Sequence, residues 1–260
     1  MGRARLTVSY LGSGYHGFAA NPGVRTVAGE LTEAISRVAR GPVELTGAGR
    51  TDAGVHAWGQ VVSCDLPDGT DLGDLAARVN KLCAPGIAVR AAEWAVDDYD
   101  ARRSATSRTY RYHIWNDPAP NPLLAGLTWH VPRPIDLTSV REAVNPLIGE
   151  HDFTSFCRKP KVPEDQPQPS MVRIVRAIDV RRVDDTPTLR FEVTATSFCH
   201  QMVRSLVGTL VDAGLGRLTP ADVTAALRAR DRSAAGTVAP PDGLILWSVG
   251  YEGTRWDAGR

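Results

Sequence analysis

The chain reads as an α/β (α+β) protein in which two similar halves share a mostly antiparallel mixed sheet flanked by helices. Three observations predict this. Short alternating strands interleave with amphipathic helices along the whole length. The order strand, loop, helix, strand in the first half recurs loosely in the second. No low-complexity stretch or clean linker separates the halves. With 260 residues the chain is long enough for one large domain or two small ones sharing a core. We place the halves at 1–104 and 105–260.

The elements follow in order. Residues 5–10 (RLTVSY) alternate as a strand and lead into the Gly-rich loop LGSGYHG. Thr26 then precedes a helix whose apolar face carries Val27, Leu31, Ile35 and Val38, a 3.6-residue period that Gly41-Pro42 ends. Residues 43–46 form a short strand. A second Gly-rich loop, GAGRTDAGVH, opens into a strand through Gln60, Val61, Val62 and Ser63. A helix at 72–83 and a strand at 87–94 close the first half. In the second half a strand at 108–115 (RTYRYHIW) precedes a helix from about 137 to 148. The stretch 157–170 holds Pro160, Pro163, Pro167 and Pro169 and reads as a long surface loop. Strands at 174–182 and 189–196 pair across the turn Asp184–Pro187. Met202, Val203, Leu206, Val207, Leu210 and Val211 make the stripe of one helix, with Gln201, Arg204 and Gly208 on or beside the other face. Thr219-Pro220-Ala221-Asp222 starts a second helix with an N-cap, Pro at N1 and an acid at N3. A last strand spans 244–251.

Composition bounds the function. Hydrophobic residues make up 43% and charged residues 23%, ordinary for a globular chain. No run of about 18 apolar residues exists, and the N-terminus lacks the apolar core of a signal peptide. Leu6 stands where a myristoylation signal wants Ser or Thr. A cytoplasmic protein without membrane contact is therefore expected. Cys64, Cys83, Cys157 and Cys199 form no CxxC pair and read as free thiols, and no Cys/His cluster has metal-ligand spacing, so no metal is expected. The net charge is only +1, but the bases are clustered. Arg102, Arg103, Arg108 and Arg111 fall in ten residues with no acid among them, and Arg158, Lys159 and Lys161 form a second group. Only three of the 30 basic residues are lysines, a bias that suits planar contacts to phosphates and bases and that a GC-rich genome also produces.

Chemistry points to one loop. Gly47-Ala48-Gly49-Arg50-Thr51-Asp52-Ala53-Gly54-Val55-His56 sets an arginine and an aspartate two residues apart between glycines. Glycines let the backbone turn sharply and a ligand approach closely, and a carboxylate there can act as a nucleophile. An aspartate in such a loop is ordinarily only a turn former.

The nine residues GRTDAGVHA, Gly49 to Ala57, with GQVV just after, resemble the signature of the TruA family of pseudouridine synthases. Further segments resemble the family in the same order: YLGSGYHGF, ARRSATSRTYRYHI from Ala101 to Ile114, GEHDFTSF from Gly149 to Phe156, FCHQMVRSLVGTLVDAG from Phe198 to Gly214, and AGTVAPPDGLILWSVGY from Ala235 to Tyr251. The resemblance runs through nearly the whole chain and implies the pseudouridine synthase fold. It makes Asp52 the catalytic aspartate, Arg50 the arginine that flips the target base, Tyr110 the active-site tyrosine that packs on uracil, and Arg204 the arginine paired with the aspartate. It also implies action on uridines 38, 39 and 40 of the tRNA anticodon stem-loop, no cofactor, and a homodimer. Where relatives often read YDG…GW-Q, this chain has Leu11, Phe18 and Ala19.

Each residue has a plainer reading. Arg204 off the apolar stripe can be a solvated helix arginine, and Tyr110 a core tyrosine of its strand. His56 and His200 are expected to be structural rather than general bases. Arg102 and Arg103 are expected to bind tRNA phosphates. The runner-up function is an inactive RNA-binding protein of the same fold; a glycoside hydrolase would need a second acid near Asp52, which the loop does not offer.

Overall fold

In a computed structural model of the chain, residues 1–160, 162–163 and 165–252 are described. Among the described residues, ten strands and five α-helices build two compact units, Met1–Arg108 with Ile245–Glu252, and Thr109–Leu244. The last strand from Ile245 on is grouped with Met1–Arg108. The strands are mostly antiparallel, with helices flanking the sheet.

The first unit contains β1 (Gly2–Tyr10), α1 (Val27–Ala39), β2 (Thr46–Gly47), β3 (His56–Leu66), α2 (Leu72–Cys83), β4 (Ile87–Trp94) and the start of β5 (Ala105–Trp115). Its strand order is β4-β1-β3 followed by the last strand, and β2 also pairs with β3. Leu6 faces Val62 on β3 and Ala92 on β4 in antiparallel register. Leu6, Val62, Cys64 and Leu66 are fully buried. Each helix is capped as its sequence dictates. The Thr26 hydroxyl accepts from the Gly29 N–H, and the Asp71 carboxylate accepts from the N–H groups of Gly73 and Asp74. Of the expected strand at 43–46 only Thr46 lies in the sheet, in β2 with Gly47; Val43 instead donates its N–H to the Ser36 hydroxyl.

The second unit holds the rest of β5, β6 (Trp129–His130), α3 (Leu137–Val144), β7 (Gly149–Asp152), β8 (Val172–Arg182), β9 (Thr188–Ala195), α4 (Met202–Gly214) and α5 (Pro220–Ala229), and β10 (Leu244–Tyr251) begins at its end. Its strands run in the order β5-β9-β8-β7, with β6 pairing parallel to β5. The helix expected to reach 148 stops at Val144, where Pro146 sits in a 3-10 turn over Asn145–Leu147. The α5 start carries the full capping box between Thr219 and Asp222. Helix α4 is not the half-solvated helix its pattern predicts. Gly208, Thr209 and Asp212 are buried as well as the apolar stripe, because the segment after α5 lies along that face. The segment from Arg158 to Met171 has no helix or strand among its described residues, and Lys161 of the second basic group lies outside them.

Cys157 and Cys199, expected as free thiols, are joined as a disulfide with their Cα atoms 5.8 Å apart. They are separated by 42 residues, and the chain brings them together where the Arg158 N–H donates to the His200 carbonyl. Cys64 and Cys83 are free and buried, and burial pushes their thiols up to about 12 and 11.

His113 on β5 predicts a measurable pH dependence. Burial, aided by the neighbouring Arg111 charge, lowers its pKa from 6.5 to about 4. The unfolded chain therefore binds the proton more readily, and stability present above pH 6.5 is lost as pH falls toward 4. Urea titrations of the wild type and His113→Gln across this window should differ in slope, the wild type losing about 2–4 kcal/mol more.

Candidate active site

The Asp52 loop is short, and its backbone groups are satisfied one after another by the first unit. The Ala48 N–H donates to the Val61 carbonyl at 2.8 Å, and the Ala48 carbonyl accepts from Arg108 Nη2 at 2.9 Å. The Gly49 carbonyl accepts from Gln60 Nε2 at 2.9 Å. The Thr51 carbonyl accepts from the Phe18 N–H at 3.1 Å, and the Asp52 carbonyl accepts from the Val55 N–H at 3.2 Å. The Thr51 hydroxyl pairs with the Tyr10 hydroxyl at 2.8 Å. Gln60 is 0% exposed and Tyr10 is buried, so these bonds form away from competing water. Burial pushes the Tyr10 hydroxyl up to about 12, which keeps it a neutral partner across the physiological range.

This scaffolding places Arg50 exposed, Thr51 buried and Asp52 half-buried, so that two polar side chains flank one that is fixed. Phe18 stacks near Tyr10 with ring centroids 6.2 Å apart and covers Gly47, where a Cβ would lie 2.4 Å from its ring. The residue that departs from the family's tryptophan thus supports the loop from below. His56 accepts the Gly12 N–H at Nδ1, 3.0 Å away, which is a structural use of the ring and agrees with the expectation for it. Gly12 itself packs on the loop, and a Cβ there would meet the Val55 carbonyl at 2.0 Å.

Arg102 and Arg103 lie in the turn before β5, where their N–H groups donate to the Asp100 carboxylate at 2.8 and 2.7 Å. Both side chains are exposed. Arg108 connects this turn to the loop, since its Nη2 also donates to the Arg102 carbonyl at 3.0 Å. Arg108 thus ties the turn that carries Arg102 and Arg103 to Ala48 at the start of the aspartate loop. The four-arginine run is not one basic patch: Arg108 serves backbone carbonyls, and Arg111 pairs with Glu192 of β9.

In the second unit Tyr110 is 8% exposed and meets Phe198 edge-on, with centroids 5.1 Å apart. The strand bearing it is tied to the segment after α5 through Tyr112, whose hydroxyl donates to the Pro240 carbonyl at 2.8 Å. Arg204 reaches the same segment: its Nε donates to the Ala239 carbonyl at 2.8 Å, and its own carbonyl accepts from the Ala239 N–H at 3.1 Å. Arg204 and the strand that carries Tyr110, through Tyr112, are thus tied to a common strip of backbone. The supporting roles of Tyr10 and Gln60 were not read from sequence pattern, and Arg108 was read only as one of a basic cluster; the GQVV following the aspartate motif was the available signal for Gln60.

The loop's dependence on these supports is testable. Gly12→Ala should shift Val55 and slow turnover, and Arg108→Ala should free the Ala48 carbonyl and slow it also, by roughly 10–100-fold each. Melting curves should show both variants folded; wild-type turnover in either would show that the loop does not need that support.

Comparison with known proteins agrees with this geometry. A family model described as tRNA pseudouridine synthase matches residues 143–252. The chain is 43% identical over 257 residues to "tRNA pseudouridine synthase A" of Caulobacter sp. (strain K31), covering 97% of this chain and 99% of that one. It is 38% identical to the protein of that name from Bacillus velezensis, covering 96% and 99%, and 43% identical to that of Frankia casuarinae, covering 96% and 89%. Identity at this level along the full length, with the aspartate loop intact, makes the chain a member of the tRNA pseudouridine synthase family.

Proposed function

We propose that the protein isomerises uridine to pseudouridine at positions 38, 39 and 40 of the tRNA anticodon stem-loop, as a cytoplasmic homodimer that needs no cofactor. The observation that carries this reading is the GRTDAG loop, held by buried partners, in a chain related over nearly its full length to proteins named tRNA pseudouridine synthase A.

The chemistry asks for what the loop offers. The N-glycosidic bond must break, the uracil must rotate, and a carbon–carbon bond must form in its place. A fixed carboxylate can bond covalently to sugar or base, or stabilise positive charge at the sugar. We assign that role to Asp52. The target lies in a stacked stem and must leave it before reaction. Arg50, exposed two residues from Asp52, suits insertion into the space left behind. Tyr110, fixed by Phe198, suits packing against the extruded uracil. Arg204 is assigned as the partner of the carboxylate by resemblance to the family.

RNA binding is assigned to Arg102 and Arg103, whose side chains are exposed while their backbone is anchored on Asp100. Local field rather than net charge governs such interactions, so a total of +1 is no obstacle. In a two-fold dimer each subunit would present this turn to one tRNA. An inactive RNA-binding protein gains no support, because the relatives carry the enzyme's name and the loop's supports are intact.

Two experiments check the assignment. Tritium release from tRNA labelled at uracil C5 should be abolished in Asp52→Asn, with several powers of ten lost in single turnover and the melting temperature preserved; near-normal turnover would remove Asp52 from the chemistry. Replacing Arg102 and Arg103 by Ala should weaken tRNA binding and flatten its salt dependence, by roughly 0.7–0.9 in log–log slope for each phosphate no longer neutralised. The rate on saturating tRNA should hold. An unchanged slope, or a fully active monomer in sedimentation, would overturn the binding picture.

A further inference from the structure

We propose that Asp212 is a positioning residue for Arg204, acting through the backbone of residues 236–239; this rests on the role assigned to Arg204 above. Asp212 is an acid 5% exposed near the end of α4. Burying a carboxylate is costly unless it is bonded and paired. Here one oxygen, Oδ1, accepts from Arg217 Nη1 at 2.8 Å, and the other, Oδ2, accepts from the Thr237 N–H at 2.9 Å. The counter-charge is thus local, and the second oxygen is committed to a strip of backbone that leads to Arg204.

That strip is fastened to α4 along its length. The Gly236 N–H donates to the Thr209 hydroxyl at 3.0 Å. Gly208 lets the strip come close, since a Cβ there would sit 1.8 Å from the Thr237 carbonyl. Two residues further, the Ala239 carbonyl receives Arg204 Nε. That bond fixes the plane of the guanidinium and therefore the direction in which its Nη donors point. Asp212 lies eight residues from Arg204 on the same helix, too far for direct contact along a rise of about 1.5 Å per residue. Its influence passes through Thr237 and Ala239. A carboxylate at 212 thereby sets where the carbonyl at 239 stands, and the carbonyl sets the guanidinium.

A merely structural acid would lower stability and leave the kinetics of the folded fraction alone. The proposed role gives a different pattern in single-turnover rates and tRNA affinity. Asp212→Ala should cut the rate roughly 10–100-fold while the Kd for tRNA stays within about threefold (half a pK unit, well under the tenfold of 1.4 kcal/mol). Asp212→Asn retains an acceptor for the Thr237 N–H and should recover most of the rate. In an Arg204→Ala background, Asp212→Ala should slow the enzyme no further, since the group through which it acts is gone. Thr209→Val, which keeps the shape and removes the acceptor of the Gly236 N–H, should show the same loss of effect in that background, and it carries the test if Asp212→Ala does not fold. A normal rate in Asp212→Ala beside a slow Arg204→Ala overturns the proposal alone, as does a full further loss in the double variant. A normal rate in Arg204→Ala overturns the arginine's role and the proposal with it.

Discussion

The structure of the site depends on one constraint: a tight loop of small residues must satisfy its own backbone. Between Ala48 and Val55 the chain cannot form a helix or a ladder, yet much of it is covered. Every buried N–H and C=O there needs a partner. Carbonyls at 48, 49 and 51 receive Arg108, Gln60 and the Phe18 amide, and the Thr51 hydroxyl pairs with that of Tyr10. These partners come from β5, β3, the first Gly-rich loop and β1. The Asp52 carboxylate is therefore located by the framework of the first unit and not by its own loop. Thr51 illustrates how. Its side chain and carbonyl are both bonded and buried, between an exposed Arg50 and a half-buried Asp52.

The same economy explains the arginines. A run of four in ten residues looks like a phosphate clamp, but an arginine has five donors in a rigid fork and can equally tie separate carbonyls together. Arg108 does so, bonding to residues 48, 102 and 105. Arg111 is neutralised by Glu192, which the run itself does not contain. The alternation of β5 decides the split. Arg108 and Arg111 lie in the strand, where neighbouring backbone and strands are within reach, while Arg102 and Arg103 precede it in a turn.

Legibility in the sequence follows the range of the interaction. Helix starts marked by a local cap were readable because the signal is local: α1 and α5 begin at Thr26 and Thr219. The turn between β8 and β9 was readable for the same reason. The two-residue β6 and four-residue β7 carry too little pattern to announce themselves. The Cys157–Cys199 pair, the Arg111–Glu192 pair and the bond from Arg108 to Ala48 join residues 42, 81 and 60 positions apart, and no spacing rule encodes them. The aspartate loop was found through its resemblance to a family; composition alone makes it a turn.

Helix α4 shows how a stripe can mislead and why the error is informative. Six apolar residues account for one face, and the remainder, Gly208, Thr209 and Asp212 among them, looks like a face for water. Those residues are instead a receptor for backbone. Glycine provides close approach, threonine an acceptor for one N–H, and aspartate an acceptor for the next. The amides of Gly236 and Thr237 and both backbone groups of Ala239 are thereby bonded, which lets irregular chain lie against a helix without orphaned groups. Once that strip is fixed, an arginine on the same helix can lean on its Ala239 carbonyl. A long side chain loses rotamer entropy on being ordered, up to about 2 kcal/mol, and a bond at Nε made before substrate arrives means that much of this cost falls on folding rather than on the reaction. Small and polar residues on a helix face, at spacings that meet successive amides of a passing strand, thus read as a docking track.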